Sequence, residues 1–385
     1  MEDPYFGREQ TKAKHFILKS YLQALAFKVL TFTDITYVDG FSGPWKSNET
    51  DFKDSSFMIA ISVLLDAQEQ LFKRSGKRRQ IRCFFSENDP IAYDQLKKAV
   101  APFDKPEIKF KIVTYFGNFE DAVPEIEHFI GNSFPLIFID PTGWTGYPLS
   151  KIKSLFDRQK CEVVINFMYD FIQRFVNSDD LEIIASFDPI LGGSGWRERL
   201  DPNLGRGLAV EKLFRDTLRS EGKFKFVVST KIDKSTAERP HFFIVYGTKS
   251  ADGLKAFRET EYKALRKHEK SRSLAKSQKR TKNTGMEDMF SDHQAGIQEA
   301  TIDELVKEQS RLARDDLLVT LEGVPNVEFK IVVAAVLQAY MLRETNVKDI
   351  CIDLANAGKL ENTWGTKPRK PGDDDDIILL KTIAK

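Results

Sequence analysis

The chain has 385 residues, 41% of them hydrophobic and 30% charged, with a net charge of +1 at neutral pH. That length exceeds what one small core needs, so two domains are expected. The even charge balance excludes a global attraction to nucleic acid or membrane and leaves only local basic footprints.

Between Thr11 and Leu30, apolar residues recur at helical spacing (Ile17, Leu18, Tyr21, Leu22, Leu25, Ala26) and predict an amphipathic helix. Five strand–helix alternations follow. The strands are expected at 35–38, 81–86, 108–114, 135–139 and 162–167, and the helices at about 55–74, 90–100, 119–130, 149–158 and 168–177. Continuous apolar strands in this rhythm predict a parallel sheet covered on both faces, a Rossmann-like α/β fold with right-handed crossovers.

Residues 188–207, "DPILGGSGWRERLDPNLGRG", break the rhythm and read either as a lid over a site or as a surface excursion. A helix at 208–221 precedes two β-rich runs, 224–232 and 241–249, expected as an antiparallel pair at the sheet edge. A helix at 253–268 closes the first domain, residues 1–262. The segment 263–300 contains "KHEKSRSLAKSQKRTKNTG" and is expected to be an unordered basic linker. In the last domain, 301–385, helices at 301–316, 327–342 and 346–357 precede a strand–turn–strand run at 359–381. That outline is a winged helix with a basic tip at Lys367, Arg369 and Lys370.

Three cysteines (Cys83, Cys161, Cys351) without CxxC spacing and five scattered histidines give no zinc or thiol signature. No metal is expected. The first residues, "MEDPYFGREQTKAKHF", lack an apolar leader, and no run reaches 18 apolar residues. A cytoplasmic protein is expected, with no membrane partner.

In open parallel sheets, ligands bind outside the carboxyl ends of the strands. Here strand one ends in "VDGFSG", strand two in "FFSEND", strand four in "FIDPTGW", and Gly117-Asn118 follow strand three. A carboxylate at the edge of a core costs free energy unless it gains partners, and ionised acids only accept. Hydroxyls and amines of a ligand are such partners. Glu87 fits a ribose diol, Asn118 an adenine edge, and Asp39 with Gly43 a cationic amino-acid-like tail. A phosphate ligand asks instead for GxxxxGK[ST] or GxGxxG, and neither is present. S-adenosylmethionine is therefore favoured over NAD or ATP. The candidate cofactor residues are Asp39, Gly40, Phe41, Ser42, Gly43, Glu87, Asn88 and Asn118.

The runs "YVDGFSGPW", "FFSENDPIAYDQL", "IFIDPTGW", "VVINFMYDFIQRF" and "HFFIVYGTKSADGLKAF" resemble the three-Cys-motif partner (TcmP) family. The resemblance extends from "KHFILKSYL" to about residue 262, and the tail resembles the winged helix that often follows. It implies a class I methyltransferase-like fold with S-adenosylmethionine as cofactor, and a three-Cys-motif protein as a possible partner. The chain departs from the pattern at Pro44-Trp45, where a third glycine is common, and at Thr142, where an aromatic is usual.

Methyl transfer to a base amine often uses a polar-Pro-Pro-aromatic motif after strand four. Here the corresponding residues are Asp140, Pro141 and Trp144, the catalytic candidates, with Trp144 placed either to stack on a base or to fill a turn. Asn166 and Arg174 are candidate substrate ligands, with Lys367 and Arg369 of the wing. The basic stretches 76–82 and 266–282 are either phosphate tracks or solvated charge. The expected function is S-adenosylmethionine-dependent methylation of DNA or RNA. A non-catalytic cofactor-binding partner subunit, recruiting a protein through the winged helix, is the alternative. A protein or small-molecule methyltransferase stays open.

Overall fold

The structure is a computed structural model that describes residues 9–43, 51–234, 237, 239–284, 291–365 and 370–380. The chain divides into two units, Met1–Ser250 and Ala251–Lys385.

In the first unit, helix α1 (Glu9–Val29) buries the apolar stripe read from its sequence, including Ile17, Leu18, Tyr21, Leu22 and Leu25. The alternations follow as β1 (Ile35–Asp39), α2 (Ser56–Ser75), β2 (Ile81–Glu87), α3 (Pro90–Val100), β3 (Phe110–Phe116), α4 (Val123–Ile130), β4 (Phe134–Ile139), α5 (Leu149–Ile152), β5 (Glu162–Phe167) and α6 (Tyr169–Phe175). Short helices α7 (Leu181–Ala185) and α8 (Asp188–Leu191) lead to α9 (Arg206–Glu221), β6 (Phe226–Asp233) and β7 (Pro240–Thr248). Several helices are shorter than expected because proline or a 3-10 turn interrupts them. Phe119–Asp121 and Lys153–Phe156 are such turns, and Pro106–Ile108 delays the start of β3.

The sheet order is β3-β2-β1-β4-β5-β7-β6. Every pairing from β3 to β5 is parallel, and β7 runs antiparallel to both β5 and β6. This is the Rossmann-like α/β sheet with an antiparallel edge pair. The order reverses between β1 and β4, so the switch point lies at their carboxyl ends. Strand alternation sorts the core into two layers. Val38, Phe84, Ile137 and Val163 pack with Ile126 of α4, Ile152 of α5 and Phe214 of α9. On the other face, Tyr37 meets Phe85 and Phe138, and Phe57 of α2 meets Phe85.

The 188–207 segment is anchored by core contacts. Trp196 is buried edge-on against Phe187, Arg197 donates to the carbonyls of Val176 and Ser178, and Arg199 donates to that of Leu191. In the basic stretch 76–82, Arg78 lies over the Phe72 ring at 4.2 Å and pairs with Glu69.

The second unit corrects the linker expectation. Residues 263–284 and 291–300 of that segment lie in α10 (Ala251–Thr284) and α11 (Ser291–Leu321). The stretch is rich in Lys, Arg, Glu, Gln, Ala and Leu, which favour helix without a large apolar face. The two helices are tied by Arg266 to Glu299 and by Tyr262 to Asp303. After them come β8 (Val327–Glu328), α12 (Phe329–Ala339), α13 (Glu344–Asn356) and β9 (Asp376–Ile377). β8 pairs antiparallel with β9, and an isolated antiparallel bridge joins Leu360 to Leu379. Phe329, Val333, Leu337, Cys351 and Trp364 form part of the buried interior of this unit. Lys367 and Arg369 lie outside the described residues.

Candidate functional site

The β1 tip turns on Gly40. A Cβ there would come within 2.8 Å of the Phe119 ring, so the close approach of that ring requires glycine. Asp39 is fully buried. Its Oδ1 accepts from Phe41 N at 3.1 Å and its Oδ2 from Ser56 Oγ, at the start of α2, at 2.7 Å. Burial pushes the carboxyl up to about 6, against the opposing effect of Ser56 and the Phe41 N–H. Ser42 is also buried, its hydroxyl donating to Asp39 O and its N–H to Ser86 O. Ser56 and the Phe41 N–H are thus partners of Asp39 in the fold, where the sequence predicts a ligand's cationic tail. Asp39 and Ser42 line neither cavity at the tips, because their polar atoms organise the turn.

Two cavities open at the carboxyl ends of the strands. The first, about 320 Å³, is lined by Gly40, Phe41, Glu87, Asn88, Asn118 and Pro141 among others. Glu87 is 4% exposed, and its Oε1 accepts from Asp89 N at 2.7 Å. Burial raises its pKa, while the N–H groups of Asp89 and Asn88 oppose that. Asn88 Nδ2 donates to Asn118 Oδ1 at 3.1 Å, and Asn118 Nδ2 donates to Asp121. The structure thus brings together five of the eight expected cofactor residues, drawn from the turn after β1, the end of β2 with Asn88 beyond it, and the turn after β3.

The second cavity, about 400 Å³, shares Phe41, Pro141 and Thr142 with the first, so the two adjoin. Gly43, Asp140 and Asn166 line it, together with Lys14, His15, Ser56, Phe171, His241 and Phe242. Asp140 Oδ2 holds Lys14 Nζ at 2.5 Å, and Asp140 Oδ1 accepts from Asn166 Nδ2 at 2.7 Å. His241 has its pKa lowered by burial first and by Lys234 next, against Asp170. Its Nδ1 is buried without a partner.

Trp144 lines neither cavity. Its ring stacks on Phe187 at 5.1 Å and meets Phe171 and Phe175, and its N–H donates to Ser186 Oγ. Arg174 also stands apart from both cavities, paired with Asp170 at 2.8 Å and 58% exposed. A wider, mostly apolar groove of about 680 Å³ lies among Lys19, Met58, Ile59, Pro102 and Phe103. No strand-end residue lines it, and its polar side chains include Asp51 and no amide.

Sequence reasoning missed Lys14, His15, Ser56 and His241. The two histidines lie 226 positions apart in sequence, and only the α1–β7 arrangement brings both to one cavity.

No family model matches the chain, and no curated protein matches it. Among solved structures, a loganic acid methyltransferase with SAH is similar at 9% identity and a TM-score of 0.29. The match covers 80% of this chain and 92% of that one. The fold assignment rests on the sheet order. Among the described residues, no group of three or more His, Cys, Asp or Glu is placed to hold a metal ion, and no helix is long and apolar enough to cross a membrane.

Proposed function

We propose that the chain is an S-adenosylmethionine-dependent methyltransferase. The observation that carries this is the pair of adjoining cavities at the switch point. One offers a carboxylate and amides suited to a nucleoside, and the other holds ionic and polar groups. Glu87 would receive the ribose diol and Asn118 the adenine edge. Gly40 and Phe41 would border the cofactor, which supplies the methyl group. The acceptor would enter the second cavity, beside Asp140 and Asn166.

For the acceptor we propose a nucleic acid. Support comes from the basic residues of α10 and from the β8–α12–α13–β9 order with the Leu360–Leu379 bridge, an arrangement like a winged helix. One observation favours a second reading, a cofactor-binding partner subunit: both carboxylate oxygens of Asp140 are already engaged, by Lys14 and Asn166. In that reading a three-Cys-motif protein is the partner.

Calorimetry with S-adenosylmethionine and S-adenosylhomocysteine tests the cofactor. Binding of NAD or ATP but neither of these would overturn it. Transfer of a labelled methyl group to the nucleic-acid, protein or small-molecule fraction of a cell extract tests the enzyme and identifies the acceptor. Tight cofactor binding with no labelled fraction would favour the partner subunit.

A further inference from the structure

Asn166 lies at the end of β5, is 3% exposed, and lines the second cavity. Its Nδ2 donates to Asp140 Oδ1. An ionised carboxylate only accepts, so this bond fixes the orientation of the amide and makes Oδ1 its other end. That oxygen is buried and accepts no hydrogen bond from the protein. A buried acceptor without a donor is costly, and a ligand donor would recover that cost.

The neighbouring charges narrow the class of donor. Lys14 Nζ sits on Asp140 Oδ2 at 2.5 Å, with side-chain exposures of 12% and 15%. A cationic acceptor would meet the Lys14 ammonium. A hydroxyl or thiol nucleophile must lose its proton before or during attack, whereas the lone pair of an uncharged amino nitrogen attacks first and the proton leaves afterwards, when a weak base suffices. Phe171 and Phe242 give the cavity apolar walls suited to a flat body.

We infer that the second cavity is an acceptor site for an uncharged amino nitrogen, received by Asn166 Oδ1, with Lys14 as a positioning residue that holds Asp140 and disfavours cationic acceptors. This rests on the cofactor reading above. In the transfer, the nitrogen lone pair forms the N–C bond as the C–S bond breaks. The bonding pair stays on sulfur, giving S-adenosylhomocysteine. The methylated nitrogen, now cationic, releases its proton. His241 lines the same cavity with its Nδ1 buried and unpartnered, so that nitrogen can take the proton; burial first and then Lys234 lower its pKa, with Lys14 and Arg174 acting the same way and Asp170 opposing.

The test uses sinefungin, a cofactor analogue carrying an amine in place of the methylsulfonium, against S-adenosylhomocysteine in calorimetry on the full chain. Lys14→Met should raise sinefungin affinity about 10-fold by freeing Asp140 Oδ2. Asn166→Leu should lower it about 10-fold, the scale of a hydrogen bond to a charged group. S-adenosylhomocysteine affinity should hold in both. A sinefungin ratio that stays at the wild-type value in either variant overturns the inference and leaves the cofactor reading standing. If Asn166→Leu fails to fold, as lost S-adenosylhomocysteine binding would report, Lys14→Met decides alone. No heat from either ligand with the wild type overturns the cofactor reading and this inference together.

Discussion

Lys14 and Asp140, 126 positions apart in sequence, form an ion pair that joins the first helix to the tip of the fourth strand. The pair lines the second cavity and not the first, so its disturbance should show in chemistry before it shows in cofactor binding. Replacing Asp140 by alanine is expected to abolish transfer of a labelled methyl group. Affinity for S-adenosylhomocysteine should change far less than in Glu87→Ala. Normal labelling by Asp140→Ala would remove Asp140 from the reaction while leaving the enzyme intact.

Glu87 carries the cofactor prediction. Its carboxylate lines the first cavity at the end of β2, with one oxygen already held by Asp89 N. Glu87→Ala should weaken S-adenosylmethionine binding by about 1.5–3 kcal/mol, roughly 10- to 150-fold. Calorimetry reads this directly, and unchanged affinity would place the ribose elsewhere.

Asp39 makes a pH prediction. Its carboxyl moves from 3.8 to about 6 in the fold, chiefly through burial. Between those values the folded state binds more protons than the unfolded chain. The contribution of this group to stability is therefore full below pH 3.8 and is lost as pH rises through about 6. The difference amounts to about 3 kcal/mol. Urea unfolding of wild type and Asp39→Asn at pH 4 and pH 7 should show the variant gaining relative stability at the higher pH. Parallel behaviour of the two proteins would mean that Asp39 is ordinary in its ionisation.

Trp144 distinguishes packing from base stacking. With its ring against Phe187 and its N–H on Ser186, Trp144→Ala should cost about 3 kcal/mol of stability and leave cofactor affinity unchanged. Undiminished stability with lost acceptor binding would return Trp144 to a stacking role.

The parallel sheet was legible in the sequence because each strand is a short, nearly uninterrupted apolar run ending in a polar residue. Glu87 and Asn118 could be placed by position alone, since strand ends of a parallel sheet share one edge. Asp39 shows the limit of that logic. An acid at a strand tip can serve the turn as well as a ligand, and the Ser56 and Phe41 N–H contacts of Asp39 have no local signal in the sequence. Lys14 and His241 had no local signal. Lys14 lies off the apolar stripe of its helix, and His241 begins an edge-pair strand. The helical state of residues 263–284 and 291–300 has little apolar signal, because it rests on helix propensity and on the charged pairs that link α10 to α11.

The place of β7 between β5 and β6 also bears on how the protein is made. A ribosome delivers β5 and β6 before Pro240–Thr248, yet neither can take its final neighbour until that segment emerges. During that interval the nascent chain presents an unpaired β5 edge of Val163, Val164 and Ile165, an apolar template for pairing with other chains. Residues 240–248 thus act as a late keystone, and a chain stalled or truncated before them is the form most exposed to aggregation and most in need of a chaperone.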